Sequence, residues 1–118
     1  MHPQLEQFID SQSKLNKMQA KALAQGIDKA IPESQEIIAL HKGTHYLHVL
    51  TPTALYWTNG VKTTSLQLKT ITAVNQKAVK TVVETSTEKL ELKPGYNKWL
   101  LPDMKTLNDF TKKLREAL

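Results

Sequence analysis

Apolar positions along the first thirty residues recur at helical spacing. Leu5, Phe8 and Ile9 share one turn, and Leu15, Met18, Ala22 and Leu23 form a second cluster. The two clusters do not fall on one stripe, so a break is expected near Asp10–Ser13, with Ser11 or Ser13 capping the second piece. Gly26 weakens the helical pattern, and Pro32 ends it by restricting the residue before it. From Glu36 the pattern changes to alternation, and Val, Thr, Ile, Tyr and Trp take over. Strands are predicted over 36–41, 44–50, 54–58, 61–68, 69–75, 79–85 and 88–93. Thr51–Pro52 and Pro94–Gly95 act as breakers, and Asn59–Gly60 is the strongest two-residue hairpin signal, with positive φ expected at both residues. A last helix is predicted from Pro102 or Asp103 to Leu118. Met104, Leu107, Phe110, Leu114 and Leu118 form its apolar stripe, Asp103 stands at its N-cap, and Lys112, Lys113 and Arg115 lie towards its C-terminal end.

These elements give an α+β chain: a helical extension over residues 1–31, then a single domain over 32–118. The domain holds seven consecutive antiparallel strands able to curl into a barrel or sandwich, closed by one helix. The extension is expected to be accessory to the strands. Tyr96 and Trp99 are expected to pack under the C-terminal helix.

The order of elements resembles that of pleckstrin-homology (PH)-like domains, and three passages add detail. Ile31–Pro32–Glu33–Ser34–Gln35–Glu36–Ile37–Ile38 is similar to the approach to the first strand of bacterial PH-like domains. Leu47 to Trp57 is similar to their second and third strands meeting at a Thr-containing turn, with Ala54 where a basic residue is usual. Leu66 to Val74 resembles their passage into the fifth strand. The resemblance covers residues 31–118 and implies a strongly bent seven-stranded sheet or barrel capped by the C-terminal helix. It implies a binding module and leaves lipid, peptide and protein ligands open.

Charge sharpens the picture when divided along the chain. The net +5 comes from residues 37–83, which carry Lys42, Lys62, Lys69, Lys77 and Lys80 and no acid. A one-signed field attracts an anionic lipid surface, nucleic acid or an acidic protein patch. The PH resemblance places the first–second and third–fourth strand turns at one open end, which would gather His41, Lys42, His45 and Lys62 into an anion- or partner-binding cluster. Phosphoinositide-binding PH domains continue their basic residues along the second strand, where this chain has Tyr46, His48 and Leu50. Lys14, Lys17 and Lys21 form a second basic stripe at helical spacing, opposite Leu15, Met18 and Ala22.

Catalytic chemistry finds no foothold in these patterns. The chain has no cysteine, its four glycines are scattered, and its acids fall on expected solvent faces. His41, His45 and His48 flank a turn, and no further ligand stands near them, so no metal or other cofactor is expected. The one arginine, Arg115, lies outside the basic zone, which argues against nucleic acid. The expected function is a non-catalytic binding module with a protein partner. The alternative is a peripheral binder of anionic phospholipid through the lysine-rich mouth. With no basic-then-apolar leader and no long apolar run, the expected location is the cytoplasm, including the inner face of its membrane.

Overall fold

The computed structural model describes residues 1–118. Two helices lead: α1 (Pro3–Ser11), with proline in its first turn where a missing N–H costs nothing, and α2 (Lys17–Ala30), which ends where Pro32 forces Ile31 into extended backbone. Seven strands follow: β1 (Ala39–Lys42), β2 (Leu47–Leu50), β3 (Ala54–Thr58), β4 (Thr63–Gln67), β5 (Ile71–Gln76), β6 (Thr81–Thr85) and β7 (Lys89–Leu92). The chain ends in α3 (Met104–Ala117), whose N-cap Asp103 accepts a hydrogen bond from the Thr106 backbone N–H.

The strands form two antiparallel meanders, β1-β2-β3-β4 and β5-β6-β7. No closed barrel is formed. The expected fourth and fifth strands, which abut at Leu68 and Lys69, are parted by a 3-10 turn at Leu68–Thr70, which redirects the chain out of the first sheet and into the second. The Asn59–Gly60 turn also differs from expectation. Only Gly60 takes positive φ (92°), and the Asn59 side-chain oxygen accepts hydrogen bonds from the Val61 and Lys62 amides. The side chain thus replaces the second left-handed residue, and the loop widens to Asn59–Lys62.

Strand β2 explains the layering, since all four of its residues are buried. Leu47 and Val49 face outward onto α1 and α2, in a cluster with Leu5, Leu23, Ala24 and Ile27. Leu50 points to the opposite side with Leu55, Val83, Leu92 and three residues of α3: Leu107, Phe110 and Leu114. The first sheet is therefore covered on both faces, by the leading helices outside and by the second sheet and α3 inside. The helical extension is packed onto the strands, and Gly26 shows how closely. A Cβ there would lie 2.6 Å from Thr58 Oγ1, and the Gly26 carbonyl accepts a hydrogen bond from Thr63 Oγ1 at 3.1 Å. The glycine that weakens the helix in sequence terms lets α2 approach β3 and β4.

On α3 the stripe is buried through Leu107, Phe110 and Leu114, whereas Leu118, expected to continue it, is exposed beyond the last turn. Thr111, between them, donates to the Leu107 carbonyl and meets Thr81 of β6 at 2.8 Å, fixing the helix to the second sheet.

Candidate binding surface

The basic residues singled out in the sequence are dispersed. Lys42 ends β1 and lines a groove with Phe8, Tyr96 and Asp103. Lys62 is exposed in the β3–β4 turn, which rests on Ala22 of α2 through Gly60. The register row Lys42, Leu47, Thr58, Thr63 crosses all four strands of the sheet. The two turns stand at one end, but Lys42 on β1 and Lys62 beside β4 lie about 14 Å apart across three strand spacings. His45 is exposed in the β1–β2 turn.

His41 is not part of an exposed cluster. It is buried with His48, its cross-strand partner, on the inner face of the sheet. Their Nδ1 atoms lie 3.5 Å apart, both rings approach Phe110, and His41 Nε2 is buried without a partner. Burial pushes His41 down to about 4, against an upward pull from Asp103. Burial, together with His41, pushes His48 down to about 3. Both rings are therefore neutral at pH 7 and belong to the core. No three His, Asp or Glu side chains gather as metal ligands would.

The second stripe is also displaced. Lys14 lies before α2, and Leu15 and Met18, expected to face inward, are exposed; α2 buries Ala20, Leu23, Ala24 and Ile27 instead.

The most distinctive surface is one the sequence reading placed inside. Tyr96 and Trp99 do not pack under α3. They belong to a loop between β7 and α3 that holds Trp99, 72% exposed, and Leu100, 81% exposed, with Tyr96 and Leu101 also exposed. The loop is built by its own backbone. Tyr96 and Pro102 form an antiparallel bridge, and Asp103 N–H donates to Gly95 O. Asn97 organises the tip: its side-chain oxygen accepts from Trp99 and Leu101 N–H, and its carbonyl accepts from Leu100 N–H. Leu100 has a φ of 60°, the left-handed region that a branched side chain enters at a cost of about 1–2 kcal/mol.

The foot of the loop is fixed to the first sheet. Thr44 Oγ1 donates to Pro94 O at 3.1 Å, and a Cβ on Gly95 would lie 2.7 Å from Lys42 O. That approach brings Lys42 beside the loop. At the tip, Lys98 Nζ lies 5.3 Å from the Trp99 ring centroid. The one acid between Lys93 and Lys105 is Asp103. Its carboxylate accepts from the Thr106 side chain and backbone, and those bonds hold it below the usual carboxylate range. Trp99–Leu100–Leu101 between Asn97 and Pro102 was the available signal, an apolar triplet enclosed by turn formers and outside any periodic element.

A larger groove, of about 780 Å³, lies across the β4–β5 junction, lined by Tyr56, Gln67, Lys69, Ile71 and Leu118 among others. Its titratable side chains are Tyr56 and Lys69. No helix is long and apolar enough to cross a membrane. Compared with protein-family models, curated proteins and solved structures, the chain matches none.

Proposed function

We propose that the chain is a non-catalytic binding module of PH-like architecture, and that the loop Tyr96–Leu101 is its contact surface. The architectural part is supported by the sequence of elements: four strands, then three, then a helix over the inner core. The functional part rests on one observation, the outward display of Trp99, Leu100 and Leu101 on a loop that bonds all three of their N–H groups to Asn97. A loop that only connected β7 to α3 would gain by turning these side chains onto the core, at about 1.5–3 kcal/mol for a fully buried leucine. Leu100 instead accepts a strained backbone and remains in water. Exposed apolar side chains held in this way mark interaction sites.

A protein occupant would receive Trp99 and Leu100 in an apolar pocket, in the manner of aromatic binding hot spots, and a bilayer would receive them at its headgroup–acyl boundary. A photo-crosslinking amino acid at position 100, compared with the same group at the exposed position 87, tests the assignment in the native cell. Protein or lipid adducts from position 100 alone are expected. Equal yields from both positions, or none from position 100, would overturn it.

A further inference from the structure

Building on that contact surface, we infer that Trp99, Leu100 and Leu101 enter the headgroup–acyl boundary of an anionic bilayer, with Lys42, Lys93 and Lys98 above them on the lipid phosphates. Shape comes first. The apolar residues stand on the tip of a convex loop, which a bilayer accepts without a preformed pocket. Residue type agrees: Tyr and Trp favour the membrane–water interface, and lysine buries its stem while its ammonium reaches the phosphates.

Backbone chemistry adds a second condition. Polar main-chain groups entering an apolar phase must bring their hydrogen-bond partners with them. Here the N–H groups of Trp99, Leu100 and Leu101 are all bonded to Asn97, so the three apolar residues bring their donors already paired. Charge supplies the third. Lys98 stands at the tip, Lys93 at its foot, and Lys42 is brought alongside through Gly95; against these three lysines stand Asp103, a charged carboxylate in the same groove as Lys42, and Glu91, already paired with Lys80. The rim is therefore cationic, which selects phosphatidylglycerol-like over zwitterionic lipid.

This differs from a site at the lysine-rich mouth. Lys62 and the stripe Lys14, Lys17 and Lys21 have no part in it, and they provide internal controls.

The test uses sedimentation with vesicles of phosphatidylcholine alone and of phosphatidylcholine with phosphatidylglycerol, together with Trp emission. The full chain is expected to bind the anionic vesicles at low salt and to lose that binding as salt rises. A blue shift should accompany binding and be absent in Trp99→Phe. Leu100→Glu should weaken partitioning about tenfold or more by placing a carboxylate at the apolar boundary. Lys42→Glu combined with Lys98→Glu should weaken it by at least tenfold, since each lysine near an anionic surface contributes severalfold. Lys62→Glu should change it less than twofold. These positions are exposed or half-buried, and unchanged circular dichroism confirms folding of each variant.

Absent vesicle binding, or binding indifferent to Leu100→Glu, overturns the bilayer assignment. If position 100 then still crosslinks to a protein, the loop remains the contact surface with a protein occupant. If it crosslinks to nothing, both readings fall.

Discussion

Acidification from pH 7 to pH 5 should remove about 4 kcal/mol of stability, and the source is the buried His41–His48 pair. Both rings are neutral in the fold, with pKa values of about 4 and about 3 against an ordinary 6.5. In the unfolded chain each histidine takes up a proton as the pH falls through about 6.5, so the unfolded state binds more protons and gains relative to the fold. The full stability is therefore present above 6.5, and it is lost progressively from there down to the folded values near 4 and 3. Each histidine contributes about 2 kcal/mol of loss between pH 7 and 5, and with both titrating the slope approaches about 2.7 kcal/mol per pH unit. That is a large share of the 5–15 kcal/mol typical of a domain.

The groups that face the pair leave the sign unchanged. Asp103 raises His41, Lys42 lowers it, and burial is the largest effect on both rings. The carboxylates whose folded values are lowered, Asp103, Glu33 and Glu91, titrate at more acid pH and add their losses only there. Urea unfolding at pH 7 and pH 5 with a constant m-value measures the difference directly. His48→Leu should keep the loss from His41 and so show about half the slope. A parent whose stability changes by less than about 1 kcal/mol over this range, or a variant with the parent's slope, would refute the neutral buried pair.

Other outcomes follow from the packing. Phe110→Ala should cost about 3–5 kcal/mol in urea unfolding, because the ring is 2% exposed between the sheets and touches both histidines. Gly26→Val should destabilise by roughly 1–3 kcal/mol, since its Cβ has no room beside Thr58, whereas a neutral result would mean α2 sits further from the sheet. A chain beginning at Ile31 should lose solubility or cooperative melting, because Ile37, Leu47 and Val49 would be uncovered; an unchanged melting curve would show the helices to be dispensable. Leu100→Gly should leave stability unchanged or raise it by up to about 1 kcal/mol, as glycine adopts φ 60° freely. A loss above about 1 kcal/mol would show that Leu100 packs against the fold.

The elements themselves were legible because period and punctuation agree. Pro32, Pro52 and Pro94 mark real boundaries, and the spacing of Leu107, Phe110 and Leu114 gives the buried face of α3. The division into two sheets was not legible. Leu66 and Leu68 read as one alternating strand, and both are buried, but the backbone at Leu68–Thr70 leaves the extended form to carry Leu68 into the same core by a turn. The face of α2 was misread for a related reason. Leu15 and Met18 satisfy helical spacing with Ala22, but the sheet lies against Leu23, Ala24 and Ile27, and a short amphipathic pattern does not fix which stripe meets it.

Site residues divide similarly. Lys42, His45 and Lys62 were placed in turns or at strand ends at one end of the sheet, as the meander requires. Their convergence depended on curvature, and His41 turned inward because strand alternation aligns it with His48 and Leu50. Trp99 reads as core by composition alone. Only the closed hydrogen bonds of Asn97 and the left-handed Leu100 show that it is held out in water.

The claim that Tyr96–Leu101 is the contact surface is tested most directly by amide spectra of the isotope-labelled chain titrated with bicelles containing phosphatidylglycerol. Perturbations are expected to concentrate between Gly95 and Pro102, with smaller ones at Lys42 and Lys93, while α2 and the β3–β4 turn stay unchanged. Perturbations centred on Lys14–Lys21 or Lys62, or none at the loop at any bicelle concentration, would contradict it.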